Sequence, residues 1–141
     1  MKERVAQAGI AVFVLNENNQ VLLGVRVAKP GNGNNEWQLP GGKITHMEDW
    51  IDTCVREIKE ETNLDIDNIE FVTARNQMFP NVDQHFVCSF FVARTFTGEP
   101  KVMEPTKCFK WKWVDIDDIP EVTFWPIKEI VSENYNKIIG D

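Results

Sequence analysis

Three glutamates, Glu57, Glu60 and Glu61, stand in the run REIKEE beside Arg56. Projected at about 100° per residue on a helix, they fall within about 100° of one another and away from Ile51, Val55 and Ile58. Like charges at i, i+4 each destabilise a helix by roughly 0.2–0.5 kcal/mol, and the carboxyl end of a helix is itself negative. Selection for stability alone would favour lysine there. Two readings follow: a solvated acidic face balanced by Arg56 and Lys59, or a ligand set for an external cation that in turn meets an anionic substrate. The donors are hard oxygens with no histidine or thiolate among them, which suits Mg2+ or Mn2+ better than zinc.

The helix that must carry these glutamates is read over residues 49–62, where Ile51, Cys54, Val55 and Ile58 recur at helical spacing. Two starts compete. Thr45 and Glu48 fit a capping box, and Asp49 fits a later N-cap. Asn63 suits the left-handed residue that ends a helix. Before it, residues 5–15 and 21–27 read as strands joined by the polar turn NENNQ, which predicts a hairpin. The segment KPGNGNN, residues 29–35, reads as a loop, either a plain connection or the edge of a binding site. A short extended piece covers 37–39, since Pro40 disfavours helix at Leu39. After the helix, strands are expected over 69–78, 85–95 and 108–114, with a long polar loop at 97–107. Ile127, Ile130, Val131, Tyr135 and Ile138 mark a closing amphipathic helix. The expected fold class is α+β or α/β, a mixed β-sheet sandwiched between helices.

The 141 residues fit one domain, 1–141. Apolar (43%) and charged (26%) fractions are those of an ordinary soluble protein. No apolar run approaches the length of a membrane span, and the amino terminus lacks the pattern of a secretion signal. Cys54, Cys88 and Cys108 have neither framework nor zinc spacing. They read as reduced core residues of a cytoplasmic protein. The net charge of -7 argues against binding nucleic acid polymer, where cations must replace counterions on the phosphates. It leaves open a small phosphorylated substrate brought in with a divalent metal.

The spacing then narrows the choice. From Gly42 there are five residues to Glu48 and seven more to Arg56 and Glu57, followed by Ile58, Lys59, Glu60, Glu61, Thr62, Asn63 and Leu64. This resembles the Nudix box, GX5EX7REUXEEXGU with U an aliphatic residue. Every specified position matches except Asn63, where the family has glycine, and asparagine is the next residue most tolerant of positive φ. The resemblance covers most of the chain. VLLGVR, WQLPGGKI, GEPKVMEPTKCFKWKWV and FWPI look like the MutT-type nucleotide triphosphate pyrophosphatases, and dihydroneopterin triphosphate pyrophosphatases share much of the pattern.

The resemblance implies a Nudix fold and a Mg2+-dependent enzyme, with Mn2+ as an alternative metal. Such an enzyme takes a nucleoside triphosphate to the monophosphate and pyrophosphate. Glu57 and Glu61 would bind metal or position water, Glu60 would be a further ligand, and Arg56 would orient the glutamates. The backbone carbonyl of Gly41 and the side chain of Glu104 would complete the shell. Which glutamate is the base stays open. Arg26 and Lys43 match positions that contact phosphates in related enzymes, and are otherwise surface cations. Phe124 and Trp125 either stack on a base or pterin, or staple the last helix to the core. Gln38, Asn76 and the asparagines among residues 32–35 are candidates for reading a base edge. His46 and His85 are given no catalytic role. A homodimer is expected from the resemblance. The rival readings are a dihydroneopterin triphosphate pyrophosphatase, another nucleoside-diphosphate-linked hydrolase, and a catalytically silent nucleotide sensor.

Overall fold

The computed structural model describes residues 4–27 and 36–140. The loop read at 29–35, with its asparagines, lies outside the described residues. The strands are β1 (Gln7–Val14), β2 (Gln20–Arg26), β3 (Trp37–Gln38), β4 (Gly41–Lys43), β5 (Asp65–Phe79), β6 (Gln84–Thr97) and β7 (Cys108–Asp115). The helices are α1 (Trp50–Thr62) and α2 (Ile127–Ile139). Among the described residues no helix is long and apolar enough to cross a membrane.

Two sheets form, one in the order β4-β1-β6-β5 and one in the order β3-β2-β7. β1 runs parallel to β6 and antiparallel to β4. It is buried from Gly9 to Val14, as expected of a strand covered on both faces. Its side chains alternate between two cores. Ala11 and Phe13 join Leu23, Phe90, Ile127 and Ile130 on the α2 side. Ile10, Val12 and Val14 join Leu22, Cys54, Ile58 and Phe91 on the α1 side. One strand's period of two therefore seats both helices, and the α-β-α sandwich follows from it.

Three local expectations change. β1 and β2 do not form the predicted hairpin; a single bridge, Leu15 to Val21, joins them before they part into different sheets. The turn itself is well made, with the Asn16 side chain accepting from the Asn18 and Gln20 amides. But both edges of β1 are taken by β4 and β6, and both edges of β2 by β3 and β7. Next, β5 begins at Asp65 rather than near residue 69, because β6 continues to Thr97 and offers Asp65 a partner. The polar, exposed start of this edge strand hides it from a hydrophobic pattern. Finally, Val55, read as part of the apolar face of α1, is 39% exposed.

That exposure reports how α1 is rolled. Its buried residues are Thr53, Cys54, Ile58 and Thr62. Measured from Cys54 at about 100° per residue, Glu61 lies about 20° away, Glu57 about 60° and Glu60 about 120°. Glu57 and Glu61 thus flank the buried face, while Glu60 points outward and is 54% exposed. The start at Asp49 prevails: its side chain accepts from the Ile51 amide at 2.9 Å. Thr45 and Glu48 close a separate turn just ahead of it. At the other end Asn63 takes φ 70°, and its amide reaches the Lys59 carbonyl.

Candidate active site

β4 lies against β1 with Gly41 opposite Ala11 and Gly42 opposite Ile10, and α1 packs behind it. Each glycine is needed for a different reason. A Cβ on Gly41 would collide with the Ile10 carbonyl oxygen and stand 2.8 Å from the Ala11 Cα. A Cβ on Gly42 would collide with the carboxylate of Glu57. Absence of side chains here lets the helix bring its acids up to the strand. The Gly41 amide donates to Glu61 Oε2 at 3.1 Å. From the far side, the Trp111 indole donates to the Glu61 carbonyl at 3.2 Å.

Arg56 ties the acids together. Its Nε and Nη2 donate to the two oxygens of Glu48 at 2.9 Å each, a bidentate pair. Its Nη1 donates to Glu57 at 2.8 Å and to Glu60 at 3.3 Å, and Nη2 also reaches the Lys43 carbonyl. The Arg56 guanidinium, aided by the Thr53 hydroxyl, holds the Glu48 carboxyl well below the usual carboxylate range. Burial raises Glu57, against the pull of Arg56. Burial also pushes Glu61 up to about 8, with Glu57 and Glu104 adding repulsion and Lys107 opposing them. Such an environment favours a cation among these groups.

Glu57 and Glu61 line a cavity of about 450 Å³ together with Gly41, Gly42, Lys43, Gln38, Arg26, Phe124 and Trp125. That is within the usual range for small-molecule sites, about 300–1,000 Å³. Of the sequence-selected residues, Arg56, Glu60 and Glu104 stay off its lining. Arg56 stands behind Glu57, Glu60 faces solvent, and Glu104 acts on Glu57 and Glu61 through its charge. Among the described residues, no three acidic, histidine or cysteine side chains are drawn together as a closed metal-ligand group. The donor chemistry nonetheless fits a hard divalent ion, because Glu57, Glu61 and Glu104 repel one another and offer only carboxylate oxygens.

An aromatic group forms another part of the cavity wall. The Arg26 guanidinium lies 3.5 Å from the centroid of the Phe124 ring. Phe79 stacks on the same ring at 5.1 Å and 8°. Two groups that close to one centroid take opposite faces, so both faces of Phe124 are covered. Trp125 meets Phe79, Phe86, Phe90 and Phe124 edge-on and packs on the α2-side core. Phe124 thus backs Arg26, which lines the cavity and whose charge is disfavoured by burial. Gln38 lines the cavity with its amide toward the Cys108 thiol. Asn76 pairs with His85 instead, and His46 is exposed on a turn. The three cysteines are buried, and burial pushes the Cys54 and Cys88 thiols up to about 12.

Sequence reading missed Glu48 as an anchor of Arg56, as well as Phe79, Phe86, Gln84 and Lys107 in the cavity region. Glu48 was recoverable, since its fixed distance from Arg56 needs a reason. The others come from remote strands and carry no spacing signal. A test of the Arg56 anchor is Arg56→Lys, which keeps the charge and loses the fork. Turnover is expected to fall about 10- to 100-fold, as for residues that orient ligands, with little change in thermal unfolding. Undiminished turnover would show that the acids do not depend on the fork.

The profile described as the NUDIX domain matches residues 5–135. The chain is 30% identical over 114 residues to the 8-oxo-dGTP diphosphatase of Escherichia coli (strain K12), covering 79% of this chain and 86% of that one. It is 24% identical over 152 residues to the RNA pyrophosphohydrolase of Pelagibacter ubique (strain HTCC1062), covering 91% and 92%. The crystal structure of a MutT NUDIX hydrolase from Burkholderia pseudomallei superimposes with a TM-score of 0.82 at 24% identity, over 91% of this chain and 97% of the other.

Proposed function

The chain belongs to the NUDIX family and is a hydrolase of phosphoric anhydride bonds; on that premise we propose that it cleaves a nucleoside or deoxynucleoside triphosphate to the monophosphate and pyrophosphate, using Mg2+. The observation that carries this is one cavity holding both Glu57 and Glu61 and the Arg26, Phe124 and Trp125 wall. A nucleoside triphosphate sets its phosphate chain beside acidic metal-binding groups and its base against a neighbouring wall, and one cavity offers both.

In this proposal Glu57, Glu61 and Glu104, with the Gly41 carbonyl, would hold the divalent cation, and Glu60 would turn in from solvent to join them. The bound ion supplies charge stabilisation at the phosphoryl oxygens and a more acidic water. Arg56 holds Glu57 in orientation through its bond at 2.8 Å, and Glu48 holds Arg56. Arg26 and Lys43 supply donors to the phosphate chain, and Gln38 an amide to the substrate. Trp125 closes the wall against water. The same proposal takes residues 1–141 as one domain acting in the cytoplasm as a homodimer, whose mass sedimentation would give.

The test is pyrophosphate and phosphate release with Mg2+ on a panel: canonical and oxidised nucleoside triphosphates, dihydroneopterin triphosphate, nucleotide-sugars and 5′-triphosphorylated RNA. Release of pyrophosphate from nucleoside triphosphates in preference to the others is expected. Preference for the pterin or the RNA would replace the substrate assignment. Tight nucleotide binding with no turnover on any member would favour a silent sensor.

A further inference from the structure

Among the described residues Arg26, Lys43 and Lys107 line the cavity, and Lys107 pairs with a carboxylate of the candidate metal shell. It sits at the rim, and its Nζ lies 3.4 Å from Glu104 Oε2. Its charge also acts on Glu61, which lines the same cavity. The position is built by the backbone. The amides of Lys107 and Cys108 both donate to the Glu104 carbonyl, at 2.9 and 3.1 Å, closing a turn between the two side chains. The Lys107 carbonyl accepts from the Val27 amide at 2.9 Å, fastening that turn to the end of β2, next to Arg26. Lysine and glutamate three residues apart in a closed turn therefore pair beside the cavity that Lys107, Glu57 and Glu61 line.

We propose that Lys107 has two successive partners: it serves as the counterion of Glu104 in the empty enzyme, and binds the substrate's phosphate chain once a divalent cation has taken that carboxylate. The inference rests on the metal-dependent reading above. The physical ground is charge balance. Lys107 and a divalent ion compete for the same Glu104 carboxylate, and the ion's arrival removes the attraction that held the ammonium there. A lysine has a long flexible stem and a point charge, so it can exchange a carboxylate for a phosphate oxygen a short distance away. Because it is largely exposed, the exchange requires no repacking.

The experiment compares wild type, Lys107→Met, Lys107→Arg and Glu61→Gln. Mn2+ affinity is measured by electron paramagnetic resonance without nucleotide, and affinity for a non-hydrolysable imido-triphosphate analogue by calorimetry with saturating Mn2+. Lys107→Met is expected to bind Mn2+ about 3- to 10-fold more tightly, because a competing cation is gone, and the analogue about 10-fold more weakly, because a charged contact is lost. Lys107→Arg should keep both affinities within about threefold of wild type, since charge rather than shape is at stake. Unchanged Mn2+ affinity in Lys107→Met, or unchanged analogue affinity, would overturn the proposal while Glu61→Gln still weakens Mn2+ binding. Equal Mn2+ binding by wild type and Glu61→Gln would instead overturn the metal reading, and this inference with it.

Discussion

Replacing Glu61 by glutamine is expected to lower turnover by about 10²- to 10⁴-fold, the range for loss of a charged group acting at the reacting centre, while leaving thermal stability equal or higher. The two halves of this expectation have separate physical causes. Glutamine has the shape of glutamate, and its oxygen can still accept from the Gly41 amide that now meets Glu61 at 3.1 Å. What it lacks is charge. In the empty protein that charge is a burden, because the group is buried beside Glu57 and Glu104 and is pushed up to about 8. Glutamine removes the cost that folding carries above the ordinary carboxylate range, where the buried acid must either take up a proton or hold its charge out of water. With cation and substrate present, the same charge is the reason for the site. Steady-state kinetics with Mg2+ and a thermal melt measure the two effects. Near wild-type turnover would remove Glu61 from the ligand set, and a markedly lower melting temperature would assign it a structural role.

The two adjacent glycines of β4 should separate in the same way. Gly41→Ala places a methyl group against the carbonyl of Ile10 and the Cα of Ala11, both backbone atoms of the central strand. Neither can rotate away, so β4 must lift off β1, and a loss of at least about 1–3 kcal/mol is expected in urea unfolding, as for overpacking. Gly42→Ala places its methyl group against the Glu57 carboxylate, the free end of a side chain. That end can swing, so stability should hold. The carboxylate would then leave the position in which Arg56 holds it, and a displacement of that size costs turnover about 100-fold. Equal kinetic losses without destabilisation in both variants would contradict this division of labour. Wild-type turnover in Gly42→Ala would show that the position of Glu57 is unimportant.

Local features of the site were legible in the amino-acid order. The phase of Glu57, Glu60 and Glu61 on α1, the two competing starts from which the structure selects Asp49, and the left-handed Asn63 depend on residues within a few positions of one another. So does the run around the box, which identified the family later matched over residues 5–135. Less accessible was the roll of α1. Cys54 and Val55 are both apolar, and a stripe through 51, 54, 55 and 58 does not say which edge is buried. Packing against Ile10, Val12 and Phe91 decides in favour of Cys54, leaving Val55 exposed and drawing Glu57 and Glu61, but not Glu60, toward the cavity.

Base recognition shows the same limit from the other side. Phe124 and Trp125 were visible as large apolar residues after a turn, with stacking on a ligand and stapling of a helix as equal alternatives. Only the fold brings Phe79, at the far end of β5, and Arg26, at the end of β2, onto the two faces of Phe124.

By itself, then, the sequence determined the chemistry of this protein: which residue types stand at which helical phase, where α1 stops, and that its end carries more negative charge than a helix tolerates without a purpose. Those properties follow from covalent order, side-chain charge and the 3.6-residue turn. Tertiary structure decided the partners. It split the two amino-terminal strands into different sheets, pressed Gly41 against Glu61 across 20 residues of chain and Trp111 across 50, and set Lys107 beside Glu104 at the mouth of the cavity. Contacts of that kind arise from strand pairing and from the burial of two opposite faces of β1, and neither is written in the spacing of any one segment.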